Sequence, residues 1–412
     1  MRAYDYIIVG GGLAAASAVE GIRERDADGG ILMLTDEGEP PYNRPPLSKE
    51  YLQTPEIPRE LLYVKPDGWF EQAAGVTLER EQKVLSLDPG ERTVITARGN
   101  DFRGERILLA TGGRPRELAV QGAELDGIHT LRRVEDAEAI RSAALTVGRA
   151  VMVGGGFIGM EMAASLRHHG VESVVVEQAD RVWPNLLPAE LQAPLRVYYE
   201  DRGVSFRLGH GVTGFGGDGR LETVELDDGT RLGCEMAIVG LGIVPNQEIA
   251  QAAGLAVQDG IVVDAFGETS HGYIYAAGDV ARFPDPAFGD LTRVEHWDHA
   301  RAHGRVVGRN MAGDRVEYDH TSYFFSDVFD LGINAVGRTA EAEDLEVAGD
   351  LGDGPLVALA SSAGLLTGVL LVNAASELEA AQKLIARRPE MSELRTVLSR
   401  PDAALDLSRL MV

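Results

Sequence analysis

The sequence predicts an α/β protein built from two Rossmann-type nucleotide-binding domains and a C-terminal α+β domain. Three observations carry that prediction. A glycine-rich loop, Gly10-Gly11-Gly12-Leu13-Ala14-Ala15, follows the apolar run Tyr6-Ile7-Ile8-Val9 and opens a helix-forming stretch. A second loop, Gly154-Gly155-Gly156-Phe157-Ile158-Gly159, follows Val151-Met152-Val153 in the same way. After about Gly313, strand-like stretches are followed by one helical pattern. One glycine loop also serves as an ordinary turn. Two in strand–turn–helix context, each with a carboxylate further on, mean two nucleotide sites in one polypeptide. The economical assignment gives FAD to the first loop and a nicotinamide nucleotide to the second.

The chemistry of each loop is the same. Gly10 and Gly154 permit the tight turn, and Gly12 and Gly156 let the backbone approach a pyrophosphate. Ala15 and Gly159 are the small residues that let helix and strand pack closely. The N–H groups around Leu13 and Ala14, and around Phe157 and Ile158, then meet the phosphates at the positive end of a helix.

Composition narrows the function classes. A chain of 412 residues with 44% hydrophobic content and a near-zero mean hydropathy has ample material for two or three buried cores. No run approaches the ~18 apolar residues of a membrane span. The first strand begins at about Tyr4, which leaves no room for a signal peptide and points to a cytoplasmic protein without a membrane partner. A net charge of −25 argues against nucleic acid. The single cysteine, Cys234, excludes an intramolecular disulfide, a Cys-x-x-Cys metal site and dithiol redox chemistry, and no metal is expected.

Along the chain, the first βαβ unit takes its helix from Ala14 to Arg25 and its next strand at Ile31–Leu34, where Asp36 and Glu37 can accept from a ribose. The proline-rich stretch Pro40 to Lys49 holds Arg44 and Lys49 at low entropic cost, as a site or as a stiff linker. The runs 75–79, 83–87 and 93–97 predict an antiparallel excursion. An apolar strand, 106–110, then enters Thr111-Gly112-Gly113-Arg114-Pro115. A charged helix is predicted at 134–144, and the second βαβ unit has its helix at 159–169 and a strand at 173–176. Glu177, 18 residues after Gly159, would accept from both ribose hydroxyls and repel a 2′-phosphate, favouring NADH; Arg181 keeps NADPH open. The strand 236–239 enters Gly240-Leu241-Gly242, a crossing back to the first domain, and Tyr273–Ala277 ends in Gly278-Asp279. The domains are therefore expected at 1–111 and 239–313 (FAD), 112–238 (NAD) and 314–412. In the last, strands are expected at 329–336, 344–348 and 355–371, broken at 361–364, with a helix at 377–387.

These motifs together resemble the FAD-dependent reductases that pass electrons from NADH to ferredoxins of oxygenase systems, and their relatives the apoptosis-inducing factors. The resemblance spans essentially the whole chain. It rests on the paired loops, Arg44-Pro45-Pro46-Leu47-Ser48-Lys49, Ala110-Thr111-Gly112-Gly113-Arg114-Pro115, Ala276-Ala277-Gly278-Asp279 and Glu295-His296-Trp297-Asp298-His299-Ala300. It implies the glutathione reductase-like arrangement of the two nucleotide domains. It also implies FAD contacts from Arg44, Lys49, the backbone near Val84, Ala110, Thr111, Gly112, Arg116, Gly278, Asp279, Glu295, His296 and Trp297, and nucleotide contacts from Gly240 and Gly242 beside loop two. Lys49 would sit near flavin N5 and pair with Glu161; as a bare helix-terminal acid, Glu161 would instead answer the dipole. Phe157 would shield the flavin face and move aside for nicotinamide. The family places its reactive cysteines elsewhere than Cys234, which reads as a core residue.

The resemblance thus implies an NADH-dependent FAD reductase, monomeric or homodimeric, that feeds a [2Fe–2S] ferredoxin. An NADH-responsive binding protein like the apoptosis-inducing factors, or an NADH oxidase or quinone reductase using a small-molecule acceptor, remain open. Arg301, Arg305 and Arg309 recur every fourth residue, a stripe that could steer an acidic partner or simply be solvated. Phe325 stands where ferredoxin-linked relatives usually carry tryptophan.

Overall fold

A computed structural model describes residues 2–398 and 406–411 of the chain. The chain forms two compact units. Unit 1 comprises Met1–Asn43, Pro58–Arg114 and Val244–Ser322; unit 2 comprises Arg44–Ile57, Pro115–Ile243 and Tyr323–Val412.

Unit 1 is built on a parallel sheet. Strand Arg2–Val9 lies between Ile31–Leu34 and Asp101–Leu109, parallel to both. All four residues of Ile31–Leu34 and the last four of Arg2–Val9 are buried, as expected for a parallel sheet covered on both faces. Val76–Glu79 extends the sheet in parallel beside Ile31–Leu34, so it is not part of the antiparallel excursion the sequence suggested. Four residues cannot reveal strand direction; its partner decides that. The antiparallel part is Val84–Asp88 against Thr93–Thr96, which pairs in turn with the start of Asp101–Leu109. The end of that long strand pairs in parallel with Ile274–Ala276, so the returning chain rejoins the same sheet.

Two helices cover one face with their backbones in near contact. A Cβ added to Gly304 would meet Ala14 O at 2.3 Å, and one added to Gly308 would meet Ala18 O at 2.2 Å. The matched increments make helices Leu13–Arg23 and Trp297–Met311 parallel. Ala14 is the second residue of its helix, whereas Gly304 lies two turns into the other. The N-terminus at Trp297 therefore overhangs the first glycine loop by about 9 Å.

Unit 2 contains a five-stranded parallel sheet in the order Val204–Leu208, Glu172–Glu177, Arg149–Val153, Met236–Val239, Ile128–His129. The helices Val134–Ala144 and Phe157–His168 lie where the sequence set them, within two residues. Residues Arg44–Ile57 belong here: Gln53 Nε2 donates to Ser165 Oγ at 2.9 Å and Tyr51 OH to Glu138 at 2.8 Å. The C-terminal part is a five-stranded antiparallel sheet, Tyr323–Val328, Leu331–Gly337, Leu365–Val372, Leu356–Ser362 and Asp344–Ala348, with helix Leu378–Arg387. Its first strand, Tyr323–Val328, has no counterpart among the predicted elements. Residues 329–330 are a turn where the sequence suggested a strand start.

Candidate functional site

Each glycine loop is shaped by its neighbours. Gly10 has φ +128°, and a Cβ there would lie 2.1 Å from Ala110 O; Gly154 has φ +108°, and its Cβ would lie 2.6 Å from Gly240 O. Gly10 N–H donates to Leu34 O and Gly154 N–H to Val176 O, both at 2.8 Å. Thus each loop is tied to the second strand of its own sheet. The space above Gly12 is open, with no heavy atom within 4 Å of an added Cβ, and Gly156 meets only Gly240 O at 3.9 Å. Crowding beneath the first glycine and open space over the third is the shape a pyrophosphate requires. On that test, both loops fit a dinucleotide.

Around loop one, unit 1 gathers most of the expected FAD residues. Gly278 (φ +74°) packs on the first helix, where an added Cβ would lie 2.7 Å from Ala14 Cβ, and Asp279 is the next residue along the chain. Arg293 donates to Asp279 O at 3.2 Å and to Glu295 at 2.6 Å. Trp297 opens its helix, and its Nε1 donates to Asn43 Oδ1 at 2.8 Å. Burial holds the His296 imidazole down to about 4, so it is neutral at pH 7. Thr111 Oγ1 donates to Asn246 O at 2.7 Å, and Gly112 O accepts from Asn246 N at 2.9 Å. Val84 is a buried strand residue paired with Thr96. Thr35 lies beneath Gly11, so Asp36 and Glu37 fall one and two residues beyond the strand-end position; Glu37 accepts from Tyr42 OH at 2.6 Å.

Around loop two, Glu177 does occupy the strand-end position. It accepts Gly155 N–H at 2.7 Å through one oxygen and Ala179 N–H at 2.8 Å through the other. Gly159 sits so close to the loop that an added Cβ would lie 1.9 Å from Gly154 O. Arg116 N–H donates to Gly242 O at 2.9 Å, and the Arg44 guanidinium donates to Arg132 O. Arg181 is exposed.

The ion pair implied by the resemblance lies inside unit 2. Lys49 Nζ is 2.7 Å from Glu161 Oε1, and both side chains are more than nine-tenths buried. The sequence did not single out the hydroxyls that complete this pair. Ser326 Oγ donates to Glu161 Oε1 at 2.6 Å, and Ser48 Oγ donates to Oε2. Ser165 Oγ in turn donates to Ser48 O at 2.6 Å. Phe157, half-buried, stacks on Phe324 with centroids 4.0 Å apart and planes at 25°. Lys49 Nζ also lies 5.9 Å from the centre of the Phe325 ring. Burial raises the Asp327 carboxyl above its ordinary value, with Lys49 drawing it down and Glu161 and Glu50 pushing it up.

The structure bears on two further readings of the sequence, qualifying the first and agreeing with the second. The arginine stripe is largely neutralised: Arg305 pairs with Glu24 at 2.6 Å and Arg309 with Asp314 at 2.8 Å, while Arg301 lies against the Trp297 ring. Glu24 is 281 residues from Arg305, so spacing alone could not reveal that pair. Cys234 is buried, and burial pushes its thiol up to about 12, which keeps it protonated and unreactive at neutral pH. Among the described residues, His210, Asp227 and Asp228 bring potential metal-ligand atoms within 4.8 Å of one another; the two aspartates are exposed. Among the described residues no helix is long and apolar enough to cross a membrane.

Residues 4–304 match the pyridine nucleotide-disulphide oxidoreductase family, and residues 323–411 match the reductase C-terminal family. The chain is 36% identical over 388 residues to the probable ferredoxin reductase CtmF of Castellaniella defragrans, covering 94% of each chain. It is 33% identical to rhodocoxin reductase of Rhodococcus erythropolis, over 92% of this chain and 89% of that one. Among solved structures it resembles the ferredoxin reductase for the CYP199A2 system of Rhodopseudomonas palustris, with a TM-score of 0.92, 32% identity and coverage of 99% and 100%. It also resembles the covalent putidaredoxin reductase–putidaredoxin complex, with a TM-score of 0.91, 30% identity and coverage of 98% and 97%. The chain belongs to the pyridine nucleotide-disulphide oxidoreductase family, and within it groups with the ferredoxin reductases.

Proposed function

We propose that this member of the pyridine nucleotide-disulphide oxidoreductases is an FAD-dependent NADH reductase that delivers electrons to a [2Fe–2S] ferredoxin of an oxygenase system. The observation that carries the reading is the pair of loops, each crowded under its first glycine and open over its third. The ferredoxin reductases among its relatives supply the acceptor class. No cluster ligands are available, since the chain has one cysteine, so the iron–sulfur centre belongs to the partner.

Bound flavin would accept two electrons as hydride and release them singly. The protein's own residues bind, orient and charge the site. In unit 1, Gly10, Gly12, Leu13, Ala14 and Ala15 take the FAD pyrophosphate at a helix N-terminus. Asp36, Glu37, the Val84 backbone, Ala110, Thr111, Gly112, Gly278, Asp279, Glu295, His296 and Trp297 line the rest, and Arg44 and Arg116 are added by the resemblance. In unit 2, Gly154, Gly156, Phe157, Ile158 and Gly159, with Gly240 and Gly242, take the nicotinamide dinucleotide. Glu177 meets its ribose and turns away a 2′-phosphate. Phe157 covers the nicotinamide position. The Lys49 ammonium is the positive charge assigned to the electron-rich reduced flavin, and Glu161 offsets the cost of burying it.

An anaerobic mix tests the reading. Flavin absorbance should bleach promptly with NADH and far more slowly with NADPH, then recover on adding a [2Fe–2S] ferredoxin. Protein that holds no flavin, or flavin that NADH leaves oxidised, would sink it. Fast recovery with a quinone but not with any ferredoxin would move the acceptor to the small-molecule class.

A further inference from the structure

The strand Tyr323–Val328 and the helix Phe157–His168 meet in a spacing match. On the strand, Phe324 and Ser326 are two residues apart and share a face, a separation of roughly 6.7 Å. On the helix, Phe157 and Glu161 are four residues apart and share a face, a rise of about 6 Å. Phe324 stacks on Phe157 at 4.0 Å, and Ser326 donates to Glu161 at 2.6 Å. One strand therefore engages both side chains that the proposed function places on the second loop's helix.

We propose that Phe324 and Ser326 are positioning residues of the nicotinamide site, and that the C-terminal domain sets both the Phe157 ring and the Glu161–Lys49 pair through them. The inference rests on the reading of loop two as the NADH site. Glu161 is buried, so each carboxylate oxygen needs a donor. Lys49 and Ser326 share Oε1, while Ser48 takes Oε2. With both oxygens held, the carboxylate cannot swing away from Lys49. Removing the Ser326 hydroxyl leaves Oε1 to Lys49 alone, so the carboxylate is held less firmly and the ammonium with it. Phe324 acts on a different quantity. Its ring fixes the plane of Phe157, and with it the surface offered to nicotinamide.

The two side chains should therefore move different constants. Ser326→Ala should slow flavin reduction at saturating NADH about tenfold, the scale of a lost hydrogen bond to a charge, with the NADH dissociation constant nearly unchanged. Ser326→Thr should restore the rate. In a Glu161→Gln background the Ser326→Ala effect should shrink or vanish, because the hydroxyl acts through that carboxylate. Phe324→Leu should instead weaken NADH binding roughly threefold to tenfold, the range of an aromatic pair, with the rate at saturation less affected. Stopped-flow reduction at several NADH concentrations separates the two constants, and flavin content and melting temperature report folding. If folded, flavin-loaded Ser326→Ala and Phe324→Leu both match wild type, the inference is overturned. It is also overturned if Ser326→Ala and Glu161→Gln act additively, as they would through general destabilisation. Wild-type flavin that NADH does not reduce would overturn the underlying reading instead, so the two failures are distinguishable.

Discussion

The two glycine loops have nearly the same backbone and different surroundings. In each, the first glycine is pressed against a carbonyl, Ala110 O or Gly240 O, and the third faces open space. The divergence begins with the next residue. Where loop one continues Leu13-Ala14-Ala15-Ala16-Ser17, loop two continues Phe157-Ile158-Gly159-Met160-Glu161. The first helix is covered by another helix across Gly304 and Gly308 and carries small side chains. The second meets a strand, through Phe324 and Ser326, and carries an aromatic and an acid. A shared phosphate cradle thus says little about what the helix behind it does. One packs against a helix, while the other carries the residues proposed above for the nicotinamide site.

Mutations at matched positions can break this comparison. The largest effect is expected from Gly10→Ala, which combines a φ of +128° with a Cβ 2.1 Å from Ala110 O. Strain of about 1–3 kcal/mol plus the collision should leave protein purified without flavin, read from its visible absorbance. Gly159→Ala has ordinary φ but would put Cβ 1.9 Å from Gly154 O. It should keep flavin and raise the NADH KM more than tenfold, a loss of about 1.4 kcal/mol or more. Loss of flavin from the second variant, or its retention at full occupancy by the first, would reverse the assignment of the two loops.

The strand-end residues offer a smaller contrast. Beneath the middle glycines lie Thr35 in one loop and Glu177 in the other. Glu177→Ala should cut the preference for NADH over NADPH about tenfold, measured as the ratio of the two kcat/KM values. An unchanged ratio would remove Glu177 from cofactor selection.

Acid should distinguish the units by stability. Unit 1 encloses His299 and His303, fully buried; burial holds His299 well below its ordinary value and His303 near about 3. The unfolded chain then binds more protons than the folded one below about pH 6.5. Stability is full above that pH and falls as pH drops towards the folded values, by up to about 1.4 kcal/mol per pH unit for each histidine. Urea midpoints at pH 7 and pH 5 measure this, and His303→Leu should flatten the dependence. An equal slope in the variant would show that this imidazole contributes nothing.

Much of this was legible in advance because local rules govern it. The loops, the helix Val134–Ala144 and Glu177 announce themselves through glycine spacing, periodicity and position after a strand. The strand Tyr323–Val328 did not, since Tyr-Phe-Phe-Ser-Asp-Val mixes aromatics with two polar residues that read as a loop. Alternation of Phe324, Ser326 and Val328 was the available signal. The Ser326 and Ser48 hydroxyls were invisible for a deeper reason. Their partner Glu161 is more than a hundred residues away, and a serine shows no chemistry until it is buried beside a charge.

The overhang of the helix at Trp297 beyond the first loop has a consequence for ligand size. Contact through Gly304, Gly308, Ala14 and Ala18 leaves no room for the two helices to slide, so the step of about 9 Å between their ends is fixed. That step works as a ruler. On the proposed reading, a ligand with two nucleotide halves would span from one helix end to the other, and a mononucleotide held at the loop would fall short of Trp297. The offset between the two helix ends is therefore set by two glycines and two alanines.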